Sequence, residues 1–285
     1  MKLVIKMNLK ITTLIEDNPG INLNLYNEHG LSFYIEADGT KLLFDTGKSG
    51  KFIENAKELD VDLNNLKYVI LSHGHYDHSG GFKKLVSKFK TSYKLIVGKN
   101  FFNEKYKIIE KGTYKYIGNS FSEEFVNKNN ILIKYIQEDI FHITENIMIF
   151  SNFKRNNDFE EINKEFKVKK NENYILDNFL DEIVLGIKTD KGFIVILGCS
   201  HIGIVNILNT IIERTGISIY GVIGGTHLIG ADDLRLNNTI DFLKEKHIQL
   251  LGISHCTGEK AAKKIKHKFR DKFLCNNTGN IIKIT

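Results

Sequence analysis

Between residues 71 and 81 the chain reads LSHGHYDHSGG. His73, His75, Asp77 and His78 fall within six consecutive positions, in a chain with ten histidines in all. Side chains two apart on an extended segment point the same way, so His73 and His75 can grip one ion. Asp77 and His78 stand where the chain must turn toward Gly80-Gly81, and can face a neighbouring ion. Neutral imidazoles with a carboxylate suit Zn²⁺, Fe²⁺ or Mn²⁺. A chain of 285 residues buries enough core to fold without a metal staple. The chemistry implied is therefore catalysis, with bound cations activating a water molecule.

Three more histidines follow apolar runs. His201 follows GFIVILGCS, His227 follows YGVIGGT and His255 follows QLLGIS. Residues at strand ends converge on one rim of a sheet. His201 and His255 are expected to be ligands; His227 stands between a ligand and a residue that supports one. Asp45, in FDTG, is expected to fix the histidine-rich loop by hydrogen bonds. Cys199 beside His201 could act as a thiol nucleophile, although a buried strand-end cysteine is commoner. Ser254, Thr257 and Gly258 could donate to a phosphate or carboxylate; a helix N-cap explains Thr257 equally well. The GKS at 47–49 is no P-loop, because Leu42 stands where that motif needs glycine. GGTHLIG (224–230) lacks the spacing of a dinucleotide fingerprint.

The elements that must position these residues are readable from periodicity. Residues 10–15, 31–36, 41–44, 68–72 and 94–97 read as strands, with turns at Asn18-Pro19-Gly20 and Asp38-Gly39. Residues 49–59 are amphipathic and 80–89 look helical. The last third alternates: a hairpin over 182–198 around Thr189–Gly192, a helix over 202–216 ended by Gly216, a strand at 218–225, a helix at 232–246, a strand at 249–254, a Lys-rich helix at 258–268 and a closing strand, NIIKIT. Residues 100–180 are polar and weakly periodic. ILIKYI (131–136) and NIMIF (146–150) are its only strand candidates, and much of the rest reads as insertion or surface loop. Hairpins early and strand–helix alternation late predict sheets covered by helices, a layered α/β arrangement.

Composition narrows the function classes. Three cysteines without a CxxC make no disulfide framework and fit a reducing compartment. MKLVIKMNLKITTLIEDN alternates apolar residues with Lys and Asn, unlike a signal peptide, and no run approaches the ~18 apolar residues of a membrane span. A cytoplasmic protein without a membrane partner is expected. The net charge of +6 raises nucleic-acid binding, but the lysines are dispersed and no block of like charge stands out.

HGHYDH resembles the HxHxDH signature of the metallo-β-lactamase superfamily. LLFDTG (42–47) is similar to that superfamily's early strand ending in Asp-Thr-Gly. GCSH stands where a bridging aspartate usually falls, and GISH (252–255) where the last ligand histidine falls. The resemblance covers most of the chain except about 100–180. It departs in two places: no Pro-Gly-His motif lies between 98 and 180, where FHIT around His142 does not match, and Cys199 and His201 replace the bridging aspartate. GCSHIGIVNIL, GGTHL and SHCTG are similar to a branch containing dihydropterin-linked synthases and metal-dependent hydrolases.

The resemblance implies an α/β fold, a four-layer αββα sandwich with a dinuclear site between the sheets, as a single domain over 1–285 with an irregular insertion at about 100–180. It implies two divalent ions, zinc or else iron or manganese. His73, His75 and one of His201 and His227 hold the first; Asp77, His78 and His255 hold the second. Asp77 and His255 are the expected catalytic residues. The reaction it implies is hydrolysis of a phosphorylated or ester-bearing small metabolite by metal-activated water. Three alternatives stand beside it: a dihydropterin-linked condensation displacing pyrophosphate, a nuclease of the same fold, and a non-catalytic metal-binding module. A homo-oligomer is compatible with each.

Overall fold

The computed structural model describes residues 8–89 and 92–285. Strands β1 (Leu9–Ile15), β2 (Ser32–Ala37) and β3 (Thr40–Phe44) lead through helix α1 (Phe52–Glu58) to β4 (Tyr68–Leu71), the short helices α2 (Tyr76–Ser79) and α3 (Phe82–Lys88), and β5 (Lys94–Gly98). Next come β6 (Lys105–Glu110), β7 (Thr113–Tyr116), α4 (Glu123–Lys128), β8 (Leu132–Ile136), β9 (Ile140–His142), β10 (Ile147–Phe150), β11 (Phe166–Lys170) and β12 (Asn173–Leu176). The last third holds β13 (Val184–Thr189), β14 (Gly192–Leu197), α5 (Ile204–Thr215), β15 (Ile219–Gly225), α6 (Asp233–Glu245), β16 (Leu250–Ser254), α7 (Glu259–Phe269) and β17 (Ile281–Ile284).

Two large sheets carry the fold. One runs β17-β1-β2-β3-β4-β5-β8, the other β16-β15-β14-β13-β10-β9. Their strands are apolar on both faces, and the period of two sorts each residue into a layer. In the first sheet, Phe33, Ile35, Leu42, Phe44, Ile70 and Ile96 point to a central core shared with Leu185, Ile187, Ile194, Ile196 and Ile223 of the second. The alternate residues Tyr34, Leu43, Val69, Leu71, Leu95 and Val97 pack outward on Phe52 of α1 and Phe82 of α3. Val184, Phe193, Val195, Leu197 and Val222 pack outward on α5, α6 and α7 through residues such as Ile207, Ile211, Leu236, Ile240 and Ile265. Helices therefore cover both outer faces of a face-to-face sheet pair: this is the expected αββα sandwich. Gly216, in a left-handed conformation (φ 66°), ends α5.

The stretch 100–180 is not irregular. It adds β8 to the first sheet and β9 and β10 to the second, and builds a third, four-stranded sheet, β12-β11-β6-β7. Short strands such as KYKIIE, TYKY and FKVKK alternate Lys with Tyr, Ile or Val. Only Lys105 of β6, and Phe166 and Val168 of β11, are buried in this small sheet. Such strands lack the continuous apolar run that marks a buried one.

Candidate metal centre

β3 and β4 are parallel, as are β14, β15 and β16. The C-terminal ends of these strands meet at one rim of the sandwich, and each delivers a site residue just beyond its last paired position. Asp45, Ser200, His227 and His255 all have positive φ, from 48° to 63°. Left-handed backbone at non-glycine residues costs energy and collects at functional sites. Here it turns the chain sharply off the strand end and over the rim.

Two groups of side chains gather there. In the first, His73, His75 and His201 offer nitrogens within 4.8 Å of one another, and His73 Nε2 lies 3.1 Å from His75 Nδ1. In the second, Asp77 Oδ2 lies 3.4 Å from His255 Nε2 and 3.8 Å from His78 Nε2. Cys199 joins them. Its Sγ is 3.2 Å from His78 Nε2, and it shares a potential ligand group with His73 and His78, and another with His201 and His227. His227 stacks obliquely against His201, ring centroids 4.3 Å apart, and so flanks the first group. His142 lies on β9 and is exposed.

A carboxylate sets the ring orientation of two of these histidines. Asp45, fully buried, accepts from Ser72 N (2.7 Å), Ser72 Oγ (2.8 Å) and His78 Nδ1 (2.7 Å). Ser72 Oγ has one proton and gives it to Asp45, so it accepts from His73 Nδ1, 2.9 Å away. Both imidazoles thus carry their proton on Nδ1 and free Nε2 toward the centre. Asp17 does the same for His255, whose Nδ1 is 2.6 Å from Asp17 Oδ1. Asp17 Oδ2 takes His29 Nδ1 at 3.0 Å, and His29 Nε2 reaches Asp77 Oδ2 at 3.3 Å.

Backbone anchors complete the frame. Glu182 accepts from His201 N (2.8 Å) and Ile202 N (2.9 Å). Glu16 accepts from His255 N at 2.6 Å. Asp181 accepts from Gly74 N (2.8 Å) and is itself bound by the buried Lys105, which also pairs with Asp177. From the 100–180 stretch, Phe179 stacks on His201 (4.0 Å, 6°) and Phe166 packs on His75 (5.5 Å) and His201 (5.1 Å), closing the first group from solvent.

The electrostatics suit cations. Burial holds His73, His75 and His201 well below the ordinary histidine pKa, keeping their lone pairs free. Burial opposes ionisation of Asp77, but His78, His255 and His29 outweigh it and hold its carboxyl well below the usual range. Asp17 and Asp77 push His29 up to about 9. Burial pushes Glu182 up to about 7 and the Cys199 thiol well up, which counts against Cys199 as a free thiolate nucleophile. Ring nitrogens of His75, His201, His227 and His255 are buried without a hydrogen-bond partner. Buried polar atoms are normally satisfied, and a donor set of imidazole, carboxylate and thiol is the chemistry of a transition-metal site. The residues present therefore fit metal ions.

The strand-end histidines and the HGHYDH residues lie together as expected, and Asp45 makes the expected hydrogen bonds. Thr257 caps no helix, and it lines the cleft beside His255. Its hydroxyl donates to Ser254 O (2.7 Å) and receives from Thr226 (2.9 Å), and α7 starts from Gly258 without a side-chain cap. Asp17, His29 and the ligand geometry of Cys199 were not foreseen. Asp17 and His29 lie alone in a polar loop without periodicity. The position of Cys199 at the bridging place was the one available signal.

A family model for the metallo-beta-lactamase superfamily matches residues 25–105. A 7,8-dihydropterin-6-methyl-4-(β-D-ribofuranosyl)-aminobenzene-5′-phosphate synthase of Methanocaldococcus jannaschii is 32% identical, over 97% of this chain and 97% of its own. An uncharacterized protein of the same organism is 31% identical over 91% of this chain and 94% of its own. Among solved structures, a metal-dependent hydrolase of the beta-lactamase superfamily matches with a TM-score of 0.84 at 30% identity, covering 97% of this chain and 99% of that one. The chain belongs to the metallo-β-lactamase superfamily. Among the described residues, no helix is long and apolar enough to cross a membrane.

Proposed function

We propose that the chain is a two-metal enzyme that breaks the bond to a phosphate or diphosphate group on a small metabolite. The observation that carries this reading is a pair of ligand groups sharing one thiol: His73, His75 and His201 on one side, Asp77, His78 and His255 on the other, and Cys199 between. Divalent ions held there, zinc first and iron or manganese next by donor type, would supply Lewis acidity toward a phosphoryl oxygen and a lowered pKa for water. The chain's own residues do the rest. Asp45 and Asp17 fix the imidazoles so that Nε2 of His73, His78 and His255 faces inward. Phe166 and Phe179 exclude water from the first group. Asp77 and His255, in the second group, orient the nucleophile and the substrate. A cleft of about 600 Å³ beside His255, walled by Ile229, Ile253 and Phe273, has the size of a small-molecule site. It is lined by Glu16, Asp17 and Glu259 and by no lysine or arginine, so the positive charge that a phosphate needs would have to come from the bound ions.

The name of the 32% identical relative favours a second reading. In it, an aminobenzene nitrogen attacks the methylene carbon of a dihydropterin diphosphate. The carbon–oxygen bond breaks, pyrophosphate leaves with the electron pair, and the nitrogen loses a proton. One experiment separates the readings. Metal-loaded protein is given the dihydropterin diphosphate with and without the ribofuranosyl-aminobenzene phosphate, alongside generic phosphomonoesters and diesters, and followed by phosphorus NMR. Release in water alone indicates hydrolysis; release only with the acceptor indicates condensation. Metal content is measured in parallel for His75→Ala and Asp77→Ala. Variants that keep full metal and full turnover, or a wild type that turns over none of these compounds, would overturn the proposal.

A further inference from the structure

The cleft beside His255 lies at the C-terminal ends of β1 and β16. The chain leaving β1, the turn from β16 into α7, Ile229 and the 273–277 segment wall it. These walls are tied together. Glu16 N donates to Thr278 Oγ1 (2.9 Å), Asn277 Nδ2 to Pro19 O (3.0 Å) and Ile229 N to Cys256 O (3.1 Å). Gly258 has φ 75°, and a Cβ there would sit 3.1 Å from Ile229 Cα, so the two segments touch closely. A cleft held this way is formed before a ligand arrives.

Two kinds of surface meet in it. Ile253 is buried, while Ile229 is 64% exposed, a large apolar side chain left in water at the edge of a polar cleft. The half-buried Phe273 adds an aromatic surface. The polar part is anionic and rich in acceptors. Glu16 and Asp17 spend their oxygens on His255, Asn18, His29 and Gly30, so they act on the cleft through charge. Asn277, with its Nδ2 given to Pro19, keeps its amide oxygen as an acceptor. Ser254 lines the cleft and is 8% exposed, and its Oγ is buried without a hydrogen-bond partner. Buried hydroxyls are normally satisfied, and a ligand is the partner this one lacks. A phosphate placed here would meet carboxylates and no cation, whereas N–H groups would meet acceptors in a negative field.

We propose that this cleft binds the organic part of the substrate, an uncharged flat ring bearing N–H donors, while the phosphate lies on the ions beside His255. Ser254 and Asn277 are the specificity-determining contacts, and Ile229, Ile253 and Phe273 are the apolar walls. The assignment rests on the phosphate-group reading above and adds the class of molecule that carries the group.

The chain holds its own reporter for the test. Cys275 lines the cleft and is exposed, whereas Cys199 and Cys256 are buried. Its rate of alkylation by iodoacetamide therefore reads occupancy of the cleft in the metal-loaded protein. Isocytosine, a flat neutral ring with N–H donors, should slow the alkylation in a saturable way. Orotate, a ring of similar size that carries a carboxylate, should not, and neither should pyrophosphate. Ser254→Ala should weaken isocytosine by about two- to tenfold, the loss of one hydrogen bond. Its melting temperature should be unchanged or higher, because the hydroxyl removed has no partner in the free protein. Absence of protection by isocytosine overturns the cleft assignment. Equal protection by orotate overturns the selection for an uncharged ring. Protection by pyrophosphate puts the phosphate in the cleft and overturns the division between cleft and ions. Ser254→Ala binding isocytosine as tightly as wild type overturns the role of Ser254. None of these arms depends on turnover, so the phosphate-group reading is judged separately by the phosphorus NMR experiment above.

Discussion

Asp45 belongs to neither of the two proposed ligand groups, yet it should govern both. Its carboxylate takes His78 Nδ1 and Ser72 Oγ, and through Ser72 it sets the tautomer of His73. His73 belongs to the first ligand group and His78 to the second. Replacing Asp45 by asparagine keeps the volume but turns one acceptor oxygen into a donor facing groups that already donate. Removing the partner of one ligating histidine typically weakens metal binding 10- to 100-fold. Asp45→Asn should therefore weaken two metals by about that factor each, equivalent to about 1.4–2.7 kcal/mol per site. The metal-free fold should also suffer, because three fully buried donors lose an anionic acceptor; about 3 kcal/mol or more is expected from the cost of such groups. The assay is competition with a chromophoric chelator, read as two binding steps, beside urea unfolding of the metal-free protein. Two unchanged affinities, or a loss confined to one step, would refute the shared-carboxylate reasoning.

Three further outcomes follow from other parts of the frame. Lys105 is fully buried between Asp177 (2.6 Å) and Asp181 (2.8 Å), so Lys105→Met should cost about 3–5 kcal/mol by stranding buried carboxylates. Adding Asp177→Asn should restore part of that in urea unfolding, whereas additive losses would deny the coupling. Glu182 holds its proton up to about pH 7 in the folded protein against 4.5 for the ordinary group. Between those values the unfolded chain binds fewer protons than the folded one, so stability falls as pH rises through the window. The drop should be about 3 kcal/mol in metal-free protein, level above pH 7 and absent from Glu182→Gln; parallel pH profiles for the two proteins would contradict it. Finally, His201→Ala should lose about one metal equivalent by elemental analysis and His227→Ala should not, because His201 groups directly with His73 and His75; the reverse pattern would exchange their roles.

Much of this arrangement was legible in the chain. HGHYDH after a buried strand, and GCSH, GGTH and GISH after three others, announce histidines gathered at one rim because a strand that is apolar on both faces must end there. What stayed hidden had weak local signals. Strands β6, β7, β11 and β12 are half-buried or exposed along most of their length, so hydrophobic periodicity is faint, yet Phe166 at the start of β11 lies against His75. His29 and Asp17 sit in a polar loop, and only the packing of that loop on the Asp77 backbone gives them a place. Cys199 reads from sequence as a buried thiol or a nucleophile; its place beside His73 and His78 and beside His201 and His227 depends on the second sheet docking on the first.

That docking has a consequence for the protein as it is made. Strand β17 pairs with β1, and Asn276 and Thr278 bond Thr13 and Glu16 next to the loop that holds His255. Roughly 200 residues separate the HGHYDH turn from β17, which at about 5–20 residues per second is on the order of 10–40 s of synthesis. During that interval a histidine-rich segment exists without the thiol, the later histidines or the final strand that complete its surroundings. A cation captured then would be chosen by the open segment alone, and the ion held in the folded protein would depend on exchange after β17 pairs with β1.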